Sequence, residues 1–505
     1  MSNKSVVLFY PRPTQGYLKE RRRDINVVRR LYAPLSVMYL AATLEEAGFS
    51  VLLFDYRLTT TDEILNKIAD LKDILFFGIS TMTGSQIKSG LEIAQRLRSI
   101  YGNDIPLVWG GVHPTILPEK TITHPLVDII GYGQADYSIV ELARAISKRK
   151  PLNNVKGIYF KHDGVIIKTP PQDNVELDYL PIPSWKHIKD YLNYAQYPIL
   201  ATISTSRGCP YNCAYCYKMA VESSQSWKPF GVNRIMREVD YLNRNFGYDI
   251  FEIVDENFIL DPIRALELIR NFKDRKFKIS AVRSNFLTFK DNVVDDLRDF
   301  CDYVAYSPET GSSRIQGFLN KRADYKKMKR LNAKLYNMGI GTVHNFIFGF
   351  PFETEEDIKA TVKLCREFKE INPASRMSIY QFMPYPKTPL ADMMVSKYGL
   401  EFPDNFEEWS KTDMYGDLDL KFRPWVNQDQ LRFMNNFQLI FNLIFNTYDV
   451  LGKEIYDIYN SDSMIQELLG DISTIPRATA PMHPYVLNDR ITPELIEQYK
   501  ENIYI

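Results

Sequence analysis

The stretch Cys209-Pro-Tyr-Asn-Cys213-Ala-Tyr-Cys216 holds three of the five cysteines in a chain of 505 residues. Its C-x3-C-x2-C spacing lets three thiolates hold three irons of a cubane 4Fe-4S cluster, leaving the fourth iron open to a substrate or cofactor. A structural zinc site takes four ligands, as a rule in two separated pairs, and the chain has no second pair. Cys301 and Cys365 stand alone in predicted strand and helix contexts, where buried thiols are common and inert. A low, odd number of cysteines argues against disulfides. The stretch follows an apolar, β-branched run from Tyr197 to Ser204 and an Arg207-Gly208 turn, so it reads as a loop leaving a strand.

Downstream, short apolar runs alternate with helical patterns. Strands are expected at Ile250–Val254, Lys278–Arg283, Tyr303–Ser307, Gly341–Phe348 and Ser378–Phe382. Helices are expected at Asn233–Phe246, Asp261–Asp274, Asn292–Phe300, Lys326–Met338 and Thr354–Phe368. This alternation over residues 197–390 predicts a partial parallel (β/α)6 barrel with its site at the carboxyl ends of the strands. Polar residues gather at those ends: Asp255-Glu256-Asn257, Arg283, Glu309 in Ser307-Pro-Glu309-Thr-Gly311, and Glu353 in Gly349-Phe-Pro351-Phe-Glu353-Thr354. Each acidic residue alone also suits a helix cap or a surface charge.

Upstream, residues 1–150 show the same alternation. Strands are expected at Val6–Tyr10, Ser50–Asp55, Ile74–Ser80, Pro106–Gly110 and Val127–Ile130, and helices at Leu35–Ala47, Thr61–Asp70, Ser85–Tyr101 and Ala135–Lys148. Strands this apolar, separated by helices, predict a doubly wound, Rossmann-like parallel sheet covered on both faces. Ligands of such sheets sit beyond the carboxyl ends of the strands. There the chain places Ser80, Thr81 and Thr83, then Gly110, Gly111 and His113, then Gly131 and Gly133. Glycines let backbone approach a ligand and hydroxyls bond to it, although each glycine alone also suits an ordinary turn. Residues 151–196 read as a hairpin around Asp163-Gly164 and a proline-rich linker.

Lys plus Arg equals Asp plus Glu, 62 each, so no global field favours nucleic acid or an anionic membrane. The basic run at 19–30 (KERRRDINVVRR) reads as a solvated loop rather than a phosphate site. No apolar run reaches membrane-spanning length, and the start suits a strand better than a signal sequence, so a soluble cytoplasmic protein is expected. Residues 391–505 read as a helical C-terminal region. Within it Phe433 to Phe445 is apolar but interrupted by Asn435, Asn436, Gln438 and Asn442, which suits a core helix packed on the barrel.

The cysteine spacing, with an aromatic residue (Tyr215) just before Cys216, resembles the radical SAM superfamily. The resemblance implies that Cys209, Cys213 and Cys216 hold a 4Fe-4S cluster whose open iron binds S-adenosylmethionine (SAM). It implies that Asp255 and Glu256 meet the SAM ammonium, Arg283 its carboxylate and Glu309 its ribose. The segments Gly349–Thr354 and Met383–Pro389 are similar to further motifs of the family, with Lys387 in place of a glycine.

The first 150 residues resemble the cobalamin-binding domain found ahead of many radical SAM domains, through residues 33–42, Glu46-Ala-Gly48 leading to Asp55, and Gly110-Gly-Val-His-Pro-Thr115. The motif that supplies an axial histidine in other cobalamin proteins is absent, and an acidic turn of the family stands here as Gly131-Tyr-Gly133-Gln134. Positioning the loop is the role expected of His113.

Together these resemblances imply a cobalamin-dependent radical SAM enzyme, fed electrons by a flavodoxin or ferredoxin, that methylates an unactivated carbon of a small-molecule substrate. The alternatives are cyclisation, rearrangement or anaerobic oxidation without methyl transfer, and a methylthiotransferase. Residues 1–208 contain no cysteine for the second cluster that methylthiotransferases usually carry.

Overall fold

Strand β1, Ser5–Tyr10 (SVVLFY), is apolar nearly throughout because it lies inside a sheet covered on both faces. Its partners are β2 (Ser50–Asp55) and β3 (Ile74–Ser80), followed outward by β4 (Leu107–Gly110), β5 (Ile129–Gly131), β6 (Ile158–His162) and β7 (Val165–Lys168). The order is β2-β1-β3-β4-β5-β6-β7, with β1 to β5 parallel and β6 and β7 antiparallel. The order 2-1-3-4-5 reverses direction between β1 and β3, and such a switch point opens a crevice at the strands' carboxyl ends. The structure, a computed structural model, describes residues 4–12, 32–173, 175–188, 200–412, 420–446 and 453–476. The basic run at 19–30 lies outside these residues.

Local chemistry sets the helix ends. Thr60 opens the helix Thr61–Ile68 with a reciprocal capping box to Glu63. Asp261 accepts from the Ile263 and Arg264 amides ahead of Pro262, which opens Pro262–Asp274. The predicted hairpin forms as β6 and β7, but it also extends the first sheet, with Gly131 opposite Ile158. Two short helical segments, Val112–Ile116 and Ser313–Phe318, stand where no helix was expected.

The second sheet is wholly parallel: β8 (Leu200–Ile203), then β11 (Ile250–Ile253), β12 (Lys278–Arg283), β13 (Cys301–Ala305), β14 (Gly341–Phe348) and β15 (Arg376–Gln381). A two-stranded ribbon, β9 (Ser206–Arg207) with β10 (Lys228–Pro229), stands beside the cysteine loop. All six carboxyl ends therefore share one rim, as in a partial barrel.

The helix Gln428–Asn446 covers the open edge of β15. Asn442 Oδ1 accepts from the Ile379 amide at 2.8 Å and Asn446 Oδ1 from the Met377 amide at 3.0 Å. Gln438 and Asn442 donate back to the Ile379 carbonyl, and Asn446 to that of Met377. Residues 438, 442 and 446 recur every fourth position, so they share one helix face. Two of the polar residues that interrupt the apolar run, Gln438 and Asn442, thus satisfy backbone groups that a sheet edge would leave open.

The chain divides into two compact units. One contains Met1–Gln196, Ala220–Ser226 and Glu401–Phe422, and the other contains Tyr197–Met219, Trp227–Leu400 and Arg423–Ile505. Among the described residues no helix is long and apolar enough to cross a membrane.

Candidate functional site

The cysteine loop is held from two sides. The Ala214 amide donates to the Leu319 carbonyl at 2.9 Å, and the Ala214 carbonyl accepts from the Leu390 amide at 3.0 Å. Asn320 Nδ2 donates to the Asn212 carbonyl at 2.8 Å. The loop closes with the Cys216 amide on the Cys213 carbonyl at 3.1 Å. Cys209, Cys213 and Cys216 are all half-buried and lie within electrostatic reach of one another. Burial pushes the Cys213 thiol up to about 11, and it raises Cys216 as well.

Among the described residues no three His, Cys, Asp or Glu side chains converge at the spacing of a single metal ion. The donor set, three sulfurs on one short loop, suits the cluster.

Two lysines flank this loop, and the sequence reading singled out neither. Lys218, two residues past Cys216 and buried, pairs with Glu256 Oε1 at 2.7 Å. Lys321 donates to Glu309 Oε1 at 2.6 Å, and Tyr215 Oη donates to the same oxygen at 2.8 Å. Both bonds fall on Oε1, so Glu309 Oε2 has no partner among the described residues. Burial first, then the Glu309 and Cys213 charges, hold the Tyr215 phenol well above its ordinary range. A lysine in a polar stretch carries no signal in sequence, which explains the omission.

Glu309 itself is backbone-strained, with φ of +68°. Two bonds to β14 fix it there: its amide donates to the Asn345 carbonyl and its carbonyl accepts from the Ile347 amide at 2.7 Å. The turn is welded onto the helix Glu355–Ile371, where a Cβ on Gly311 would stand 2.3 Å from the Ala360 carbonyl oxygen. Only glycine tolerates that approach.

Asp255 is placed differently from the expectation of a SAM contact. It is fully buried, and its carboxylate accepts from the Thr205 amide at 2.5 Å and from the Thr205 and Ser206 hydroxyls at 2.6 Å. Burial raises its pKa, while these bonds and the Arg264 charge pull it back. Here Asp255 braces the loop after β8. Arg283, largely exposed, reaches the buried Glu252 on the neighbouring strand at 3.3 Å.

In the first unit, the loops after β3 and β4 interlock. The Thr81 amide donates to the Gly110 carbonyl and the His113 amide to the Thr81 carbonyl. Gly111 has φ of +94°, and a Cβ there would stand 2.6 Å from the Thr81 carbonyl oxygen and 2.9 Å from Ser80 Oγ. Thr115 Oγ1 bridges to the third loop, donating to the Gly111 carbonyl and accepting from the Gly133 amide. Gly131 leads into that loop at the end of β5.

His113 is buried, with Nδ1 on Thr83 Oγ1 at 3.1 Å and its ring against Phe406 and Trp409. Burial lowers its pKa to about 3, so it stays neutral and serves to position the loop. Thr81 Oγ1 is buried without a hydrogen-bond partner among the described residues. An orphaned hydroxyl beside glycine backbone, at a switch-point edge, fits the face of a large polar-rimmed cofactor such as a corrin.

Residues 203–365 match the family model described as the Radical SAM superfamily, and residues 23–143 that of the B12 binding domain. An uncharacterized methyltransferase of Pyrococcus horikoshii is 28% identical over 371 residues, covering 73% of this chain and 79% of the relative. The anaerobic magnesium-protoporphyrin IX monomethyl ester cyclase of Rubrivivax gelatinosus is 25% identical over 365 residues, covering 67% and 62%. Among solved structures, the radical S-adenosylmethionine methyltransferase TsrM of Kitasatospora setae, with cobalamin and a 4Fe-4S cluster bound, has a TM-score of 0.69 at 16% identity, covering 100% of this chain and 96% of that chain. The cobalamin-dependent S-adenosylmethionine radical enzyme OxsB, with aqua-cobalamin and S-adenosylmethionine bound, has a TM-score of 0.69 at 18% identity, covering 92% and 71%. At these identities the two structures establish the fold.

Proposed function

Because the chain belongs to the radical SAM superfamily, in the branch that carries a B12-binding domain, we propose that it is a cobalamin-dependent methyltransferase acting on an unactivated carbon of a small metabolite or natural-product precursor. The observation that carries this reading is the pairing, in one chain, of a three-thiol loop braced for a cluster with a glycine-lined sheet edge bearing an orphaned hydroxyl. When bound, the cluster supplies the electron that cleaves SAM to a 5′-deoxyadenosyl radical, and cobalamin carries the methyl group.

The chain's own residues bind and orient. Cys209, Cys213 and Cys216 would hold the cluster, and Tyr215 ties their loop to Glu309. Glu309 Oε2 is the free acceptor for a SAM ribose hydroxyl, with Oε1 locked by Lys321. Glu256, held by Lys218, would face the SAM ammonium, and Arg283 would meet its carboxylate. Asp255 acts through the Thr205–Ser206 loop. On the first unit, Ser80, Thr81, Thr83, Gly110, Gly111, Gly131 and Gly133 would line the cobalamin face, with His113 holding their loops in place. A flavodoxin- or ferredoxin-type donor would supply the electron.

A second reading, cyclisation or oxidation without methyl transfer, is favoured by the likeness to the monomethyl ester cyclase. The test is to incubate the reduced, cofactor-loaded chain with SAM bearing a deuterated methyl group. Formation of 5′-deoxyadenosine together with label on the bound corrin supports methyl transfer. Formation of 5′-deoxyadenosine with the corrin unlabelled supports the second reading and overturns the first.

A further inference from the structure

Lys321 is a nearly buried ammonium, 13% exposed, at the end of the turn Leu319-Asn320-Lys321. The same turn grips the cysteine loop through the Leu319 carbonyl on the Ala214 amide and Asn320 Nδ2 on the Asn212 carbonyl. Its charge is therefore delivered to the cluster loop by the element that positions that loop. Lys321 Nζ also lies 3.4 Å from Tyr215 Oη, the side chain next to Cys216, so the ammonium faces the cysteine loop. The ammonium and the carboxylate are 2.6 Å apart, so their effects on the loop largely offset while both are present.

We propose that the Lys321–Glu309 pair sets the reduction potential of the cluster held by Cys209, Cys213 and Cys216, a proposal that rests on the cluster-binding reading above. Reduction adds one negative charge to the cluster. A fixed cation in a poorly solvated site favours that state, and a fixed anion opposes it. Removing one member leaves the other facing the cluster uncompensated. Lys321 is thus a tuning residue, and Tyr215, bonded to the same carboxylate oxygen, keeps Glu309 turned toward the loop.

The experiment uses the full chain, purified without oxygen and reconstituted with iron and sulfide, in the absence of SAM. Iron content and cluster absorbance are measured first, and a parent protein that retains no iron sinks the cluster reading rather than this proposal. The midpoint potential then comes from a redox titration followed by electron paramagnetic resonance. Lys321→Met is expected to lower the potential and Glu309→Gln to raise it. The double variant is expected near the parent, and Lys321→Arg close to it. Shifts of the same sign in the two single variants, or no shift in either with iron content unchanged, overturn the proposal. Should Lys321→Met lose its iron, Glu309→Gln alone decides: a rise supports the proposal, and a fall or no change overturns it.

Discussion

The two sheet rims of this protein are built from different materials. The first is made of backbone and small hydroxyls: Gly110, Gly111, Gly131 and Gly133, with Thr81 and Thr115 between them. The second is made of paired charges, Lys321 with Glu309, Lys218 with Glu256 and Arg283 with Glu252. The difference follows from the ligands each would take. A broad macrocycle needs clearance and scattered hydrogen bonds, whereas a small zwitterion bound to a charged cluster needs fixed charges at defined points. The strain is distributed accordingly. In the first unit a glycine, Gly111, occupies the left-handed backbone region, and in the second a glutamate, Glu309, is forced into it to aim a carboxylate.

Four changes test how separate the two rims are. The largest effect is expected from Cys213→Ala, which removes one of three cluster ligands. Iron and 5′-deoxyadenosine formation should fall to background while corrin retention stays at the parent level, and joint loss of corrin would break the comparison. Gly111→Val should do the reverse. A side chain at φ of +94° and 2.6 Å from the Thr81 carbonyl oxygen costs about 1–3 kcal/mol, so corrin retention and melting temperature should fall with iron content unchanged.

Asn442→Leu lies outside both rims and serves as a control for general destabilisation. It strips the Ile379 amide of its partner, so urea unfolding should show a loss of about 1–3 kcal/mol with both cofactors retained. The last change is Glu353→Gln, whose effect depends on pH. Burial pushes the Glu353 carboxyl up from 4.5 to about 8, while its Oε2 accepts from the Gly349 amide. The folded chain keeps this proton through the window from 4.5 to about 8, in which the unfolded chain has already released it. Stability therefore falls as pH rises through that window. Melting temperatures of parent and variant should match near the acid end and diverge in the variant's favour toward pH 8. A constant difference across the range would show that Glu353 is ionised throughout.

Much of this was legible in the sequence, and the reasons are physical. The strands Ser50–Asp55, Ile74–Ser80, Lys278–Arg283 and Gly341–Phe348 stand at their expected limits, because apolar runs between helices have no other way to bury both faces. Parallel topology then put Ser80, Gly110 and Gly131 on one edge and Glu256, Arg283 and Glu309 on one rim. The short helix Val112–Ile116 was hidden because Gly-Gly-Val-His-Pro carries turn chemistry. The ladder of Gln438 and Asn442 was visible only as an interruption, since its partners lie some 60 residues earlier on β15 (Asn442 and Ile379 are 63 apart). Phe406 against His113 is longer-range still, and nothing local marks residues 401–422 as part of the first unit. Lysines 218 and 321 gain meaning only from the carboxylates beside them.

The central claim is that one chain carries both a cluster and a corrin. The most direct measurement is to reconstitute the oxygen-free protein with iron, sulfide and hydroxocobalamin, remove the excess, and quantify iron and corrin in the same sample. The account predicts about four irons and about one cobalamin per chain. Iron retained and SAM still cleaved, with no corrin held, would contradict it.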